Sequence, residues 1–225
     1  MRGARVFVWI GGGLFVASLA YCAWWFLFPL GVDRPWTGFA PVAWNAALVT
    51  IFALHHSVFA RDGVKARLAP ICGAQLRSAY VWIASLLLFG VCGFWRHVGG
   101  TFADHHGVLK ASDIVLQLLG LRLIGRSVAT IDPLALAGIR ALPPSDILQV
   151  TGPYRFIRHP LYLGWMIVVF ATPHMTGDRL TFALLTSIYL VLAIPWEERS
   201  MRAAFGDAYE RYAAAVRWRV IPYIY

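Results

Sequence analysis

VFVWIGGGLFVASLAYCAWWFLFPL, the stretch from Val6 to Leu30, runs 25 residues without a charge. As a helix it would extend about 37 Å, longer than the roughly 30 Å hydrocarbon core of a bilayer. It also exceeds the apolar core of a secretory signal, which is usually about 7–15 residues. Leu19-Ala20-Tyr21-Cys22 has the outline of a lipoprotein box, but Tyr21 stands where a small residue is needed. The stretch therefore reads as a first transmembrane helix, and the rest of the chain repeats the pattern.

Further apolar runs span Ala40 to Phe59, Ser78 to Phe94, about Ile114 to Ile131, Leu161 to Met175 and Leu180 to Pro195. Six spans follow, in an all-α polytopic membrane bundle with a C-terminal amphipathic helix. Of the 225 residues, 59% are hydrophobic and 14% charged, against roughly a quarter charged in soluble domains. Six spans leave no room for a separate soluble domain, so residues 1–225 are expected to form a single integral-membrane domain. The net charge of +9 does not indicate nucleic acid, because the 20 Lys and Arg are scattered between apolar runs. Their distribution reads as topology instead. Fourteen, from Arg2 and Arg5 through Arg61, Lys65, Arg67 and Arg77 to Arg217 and Arg219, fall on one side of the six-span arrangement. Only Arg34, Arg96, Lys110 and Arg179 fall on the other. Cytoplasmic loops carry the excess of basic residues, so both termini are expected in the cytoplasm. With no long tails, a bacterial inner membrane is the expected location.

The last two runs are short and joined through Thr176-Gly177-Asp178-Arg179, which reads as a tight helical hairpin. Its open ends then lie together, bringing Arg158-His159-Pro160 close to Glu197-Glu198-Arg199. Beyond them, Glu198 to Arg217 places Met201, Phe205, Tyr209, Tyr212 and Val216 at helical spacing with charges between, as suits a helix on the membrane surface. On one reading Arg155 and Arg158 are interfacial anchors and Tyr154 and Tyr162 part of an aromatic belt. On the other, two adjacent carboxylates facing an Arg-His pair form an ion-pairing pocket for a zwitterionic ligand.

The second reading is strengthened by a resemblance. Gly152, Tyr154, Arg158, His159, Pro160, Tyr162 and Gly164, then Glu197 and Glu198, then Phe205, Gly206, Tyr209 and Tyr212, ending at Ile221-Pro222, resemble the integral-membrane methyltransferases. That superfamily includes isoprenylcysteine carboxyl methyltransferase and the phospholipid methyltransferases. Upstream, Phe52-Ala53-Leu54-His55-His56-Ser57-Val58-Phe59-Ala60-Arg61, with Ala171-Thr172-Pro173-His174-Met175-Thr176, is similar to the branch of methanethiol S-methyltransferases, NnrU-like proteins and nurim. The resemblance implies S-adenosylmethionine as cofactor, held by residues 151–222. It implies Tyr154, His159, Pro160, Leu161, Tyr162, Gly164, Glu197 and Glu198 as cofactor-contacting residues, with Tyr154 as lid or stacking residue. Arg158 and Glu198 are the catalytic candidates: Arg158 to favour a thiolate or orient a carboxylate, Glu198 to take up a proton from an amine.

The expected activity is methyl transfer to a small or lipophilic acceptor arriving through the membrane, foremost a thiol, converting methanethiol to dimethyl sulfide. Carboxyl methylation of an isoprenylcysteine-like substrate and N-methylation of a phospholipid amine are the enzymatic alternatives, and a non-catalytic nurim-like protein is the third. His55 and His56 have three readings open: packing or interfacial hydrogen bonding, lining of the substrate pocket, or metal binding. Asp104-His105-His106 reads as a solvated loop. Arg122 and Arg126, one turn apart within the fourth run, either reach the cofactor or Asp132 from inside the bundle or show that the span is displaced. Cys22, Cys72 and Cys92 have no ligand or disulfide spacing, and no metal is expected.

Overall fold

A computed structural model of the protein describes residues 2–59, 61–140 and 148–225. Ala60 of the upstream motif lies outside the described residues. Among the described residues the structure is all-α apart from one two-stranded sheet, β1 (Thr101–Asp104) with β2 (His174–Thr176). Five helices are long and apolar enough to cross a membrane: α1 (Arg2–Leu27), α2 (Ala40–Phe59), α4 (Leu76–Gly93), α5 (Gly107–Ile131) and α8 (Gly177–Phe205). The shorter helices are α3 (Asp62–Cys72), α6 (Pro133–Leu136), α7 (Pro160–Phe170) and α9 (Asp207–Ala215). The protein is an integral membrane protein.

Two compact units are present. The first comprises Met1–Gly100, Pro133–Pro143 and Thr176–Asp178. In it α1 packs on α4, where the Trp82 indole stacks on Phe7 and donates to the Phe7 carbonyl at 3.1 Å. Polar groups in a membrane interior must find partners within the protein, and two buried side chains of this unit do. The buried Asn45 side chain exchanges two hydrogen bonds with the backbone of Arg96, at 2.7 and 2.9 Å. Asp178, fully buried, accepts from the Trp95 indole at 2.8 Å and from the amides of Val98 and Gly99 at 3.0 and 3.1 Å.

The second unit comprises Thr101–Asp132, Pro144–Met175 and Arg179–Tyr225. Here α7 lies against α5, and the crossing is possible because both helices present glycine. A Cβ on Gly164 would stand 2.8 Å from Ile124 Cγ1 and 2.9 Å from the Gly120 carbonyl oxygen. Near this crossing the Gln117 amide donates to the Val168 carbonyl and to Thr172 Oγ1, each at 3.1 Å.

The structure corrects four details of the sequence reading. The fourth run is helical from Gly107, so Lys110 is helical rather than in a loop. The fifth run gives a helix only from Pro160 to Phe170, because Pro173 cannot continue one and the chain turns into β2. At 11 residues α7 extends about 16 Å and does not span a bilayer core. The sixth run does not stop at Pro195, which lies inside α8. The helix runs on through Glu197 and Glu198, and in place of the expected tight turn Thr176 ends β2 while Gly177, Asp178 and Arg179 open α8. Finally, the amphipathic segment is broken at Gly206, whose φ of 50° is left-handed and favours glycine. Its two halves are the end of α8 and α9.

Candidate functional site

The polar cluster of the second unit is built at the start of α7. Pro160 sits in the first turn, where its missing N–H removes no hydrogen bond. The two residues before it are held by the C-terminal segment: Arg158 N–H donates to the Trp218 carbonyl at 2.9 Å and His159 N–H to the Arg219 carbonyl at 2.8 Å. Residues 60 positions away thus fix the backbone of the Arg-His pair.

Glu197 and Glu198, adjacent on α8, have opposite surroundings. Glu198 is 1% exposed and surrounded by cations. Arg158 Nε stands 2.9 Å and Arg219 Nε 3.4 Å from Glu198 Oε1, with His159 Nε2 at 3.6 Å. Arg202, one turn further along α8, reaches Oε2 at 3.6 Å. These are ion pairs by proximity; both Glu198 oxygens and the Nε atoms of Arg158 and Arg219 lack an aligned hydrogen bond. Glu197, 47% exposed, accepts from the Tyr162 hydroxyl at 2.7 Å. His159 Nδ1 lies 3.5 Å away, and the His159 ring stacks on Tyr162 at 5.2 Å.

Beyond its ion pair, Arg158 donates to the carbonyls of Ala213 and Val216 at 3.2 and 3.3 Å, so one guanidinium joins α7, α8 and the end of α9. Arg202 Nε also pairs with Glu210 Oε1 at 2.9 Å. The Tyr212 hydroxyl donates to the Tyr154 carbonyl at 2.8 Å, tying α9 to the 3-10 turn at Gly152–Arg155. Burial raises the phenol of Tyr154, and the neighbouring Glu197 and Tyr212 raise it further. Tyr209 is pushed up to about 12 by burial and by Glu198, with Arg158 and Arg202 opposing. Tyr212 is also pushed up to about 12, by burial first, with Arg158 opposing and Glu198 adding.

The structure therefore joins Arg158, His159, Tyr162, Glu197 and Glu198 in one cluster, with Tyr154 beside it. Leu161 is half-buried in the first turn of α7, and Gly164 serves the crossing with α5. His55 and His56 belong to the first unit. There the His56 ring hydrogen-bonds the Tyr80 hydroxyl at 2.6 Å and His55 Nε2 lies 3.4 Å from the Tyr80 carbonyl. Arg122 and Arg126 are exposed on α5, and among the described residues neither forms an ion pair. Neither pairs with Asp132, and the helix that carries them begins seven residues before the run read from the sequence, at Gly107. Asp104 lies in β1 rather than a loop, with His106 and His174 at 3.4 and 3.3 Å. Sequence reasoning missed Arg202 and Arg219 as members of the cluster. Their only signal was charge on the basic side of the chain.

Comparison of the sequence with known proteins places the segment around this cluster in a family. The sequence model of the phospholipid methyltransferase family matches residues 115–208, from within α5 to the start of α9. A methanethiol S-methyltransferase of Crocosphaera subtropica is 36% identical over 192 residues, covering 80% of this chain and 74% of that protein. Methanethiol S-methyltransferase 2 of Bradyrhizobium diazoefficiens is 33% identical over 183 residues, 76% of this chain and 70% of that protein. Nurim of Sus scrofa is 27% identical over 179 residues, 72% and 68% of the two chains. No solved structure matches. With relatives this similar over most of both chains, and with the family's segment folded around the Arg158–Glu198 cluster, the protein belongs to the integral-membrane methyltransferase family that contains the methanethiol S-methyltransferases.

Proposed function

We propose that the protein transfers a methyl group from S-adenosylmethionine to a small thiol, methanethiol itself, yielding dimethyl sulfide. The observation that carries the acceptor is the 33–36% identity to proteins named for that reaction, over at least 70% of their length. Membership of the family implies a small-molecule or lipid acceptor, and the thiol is the finer reading.

The described residues fit a donor that carries an ammonium, a carboxylate and a sulfonium. Glu197 offers a half-exposed carboxylate already oriented by Tyr162, suited to an ammonium. Arg219 and Arg202, partly exposed beside Glu198, are the cations placed to meet an anionic group. When bound, the donor supplies an activated methyl on a positively charged sulfur. This chain's residues then hold, orient and exclude water, and such positioning supplies much of the acceleration of a displacement at a methyl carbon. His159, Tyr162 and Glu197 bind. Tyr154, Tyr209 and Tyr212 keep neutral phenols against the cluster at physiological pH and limit access of water. Arg158 and Glu198 act as positioning residues: Glu198 is enclosed by cations, and Arg158 is committed to Glu198 and two carbonyls. The thiol acts as thiolate, and its proton leaves to solvent before the transfer.

Residues 151–222 are the donor-binding segment in this reading. Both termini lie on the cytoplasmic side of a bacterial inner membrane in this reading: α7 with the extended stretch into β2 runs antiparallel to α5 back to the level of β1, so the chain still makes the six passages on which the fourteen-to-four asymmetry of basic residues is counted. Incubation of the purified protein with labelled donor and methanethiol should give labelled dimethyl sulfide. Transfer to an isoprenylcysteine or a phospholipid amine, with none to any thiol, would replace the acceptor. The likeness to nurim supports one rival, a non-catalytic protein of the same fold; absence of S-adenosylhomocysteine binding by the folded protein would favour it.

A further inference from the structure

The arginines left over from the functional cluster are on the outside of α5. Arg122 and Arg126 stand one turn apart and both are exposed. The same stripe continues toward the N-terminus of the helix as Leu119, Leu118 and Val115, all exposed. An exposed apolar stripe on a membrane-spanning helix faces lipid, so the two guanidiniums rise from a lipid-facing surface. Charged groups there are costly unless they reach the interface or a partner. Arg126 is five residues and Arg122 nine residues before the end of α5, about 8 and 14 Å along the helix axis. That depth lets long side chains extend to the headgroup layer.

Two further observations define what they meet there. First, the surface around them is open: Gly125 is exposed and a Cβ added to it would touch nothing within 4 Å, and Ala129 is exposed on the same side. Small residues flanking the pair leave a shallow notch beside both guanidiniums. Second, the last turn of α5 adjoins the 3-10 turn at Gly152–Arg155, with Gly152 close to Thr130. There Arg155 stacks at 5.0 Å on Phe156, which is 66% exposed. Arg155 thus adds a further cation next to the last turn of α5, as the excess of basic residues at cytoplasmic ends predicts. Among the described residues no carboxylate pairs with Arg122 or Arg126, so the two keep a positive charge that an anionic headgroup would balance.

We propose that Arg122 and Arg126 form a binding site on α5 for the phosphodiester of an anionic phospholipid. Two guanidiniums one turn apart are close enough to donate to a single phosphate, and their charge favours an anionic over a zwitterionic lipid. The site is separate from the methyl-transfer cluster and does not depend on which acceptor is methylated.

Native mass spectrometry of the full-length protein in detergent, titrated with phosphatidylglycerol or with phosphatidylcholine, tests it. The wild type should retain phosphatidylglycerol at least fivefold over phosphatidylcholine. R122Q/R126Q should lose that preference, each single variant falling between, while S-adenosylhomocysteine binding reports that the fold is intact. Equal retention of the two lipids by the wild type needs no variant and would overturn the proposal. So would undiminished phosphatidylglycerol retention by the folded double variant. Displacement of the lipid by millimolar inorganic phosphate would identify a site for soluble anions and equally sink the lipid assignment.

Discussion

Arg158 Nε lies 2.9 Å from Glu198 Oε1, with both side chains nearly inaccessible to water. Removing one member of a buried ion pair leaves the other charge uncompensated, which typically costs about 3–5 kcal/mol. Glu198→Gln is therefore expected to lower the thermal unfolding midpoint in detergent sharply, since it leaves the buried Arg158 without a carboxylate and removes the one beside Arg219. Arg158→Gln should cost a similar amount, and the double variant less than the sum, with a coupling of about 1–3 kcal/mol. Additive losses in the double-mutant cycle would mean that the pair is not energetically coupled.

Glu197 separates binding from stability. Its side chain is half-exposed and its bond to Tyr162 is at the surface of the cluster, so Glu197→Ala should change stability by no more than about 1 kcal/mol. On the proposed role it should weaken S-adenosylhomocysteine binding at least tenfold, about 1.4 kcal/mol by calorimetry. Tyr162→Phe, which removes only the orienting hydroxyl, should give a smaller loss in the same direction. Unchanged affinity in both variants would take this carboxylate out of the donor site.

The glycine crossing makes a prediction with an internal control. Gly164→Ala forces a methyl against Ile124 and the Gly120 carbonyl and should destabilise by about 1–3 kcal/mol. Gly125→Ala, on the same helix as Gly120 but facing open space, should be neutral or stabilising, because alanine favours the helix by about 1 kcal/mol. Equal effects of the two substitutions on thermal unfolding would show that α5 and α7 do not meet as closely as described.

Alkaline pH should loosen the C-terminal segment. The Tyr209 phenol is pushed up to about 12 from an unfolded value near 10, so between these values the unfolded chain has lost a proton that the folded one keeps. Stability supplied by this group is complete below pH 10 and is lost as pH rises toward 12. Tyr209→Phe should flatten that part of the stability-versus-pH curve. An unchanged slope would mean that Tyr209 is not held neutral by the fold.

The chain's own order of residues determined the class of fold and the identity of the functional motifs. Spans such as Val6 to Leu30 are recognisable because an uncharged run of that length has one physical solution in a bilayer, a hydrogen-bonded helix. The meeting of Arg158-His159 with Glu197-Glu198 was also legible, because the apolar runs between them must return the chain to the side it left. What the tertiary structure alone decided is how two adjacent carboxylates divide their work. Successive residues on a helix point about 100° apart, so packing determines which is enclosed. Here the surrounding elements close over Glu198 and leave Glu197 open. Arg219 arrives beside Glu198 from a segment with no regular pattern of its own, through backbone hydrogen bonds between Trp218-Arg219 and Arg158-His159. No local periodicity encodes that pairing. It follows from closing the chain around a buried charge that has to be neutralised.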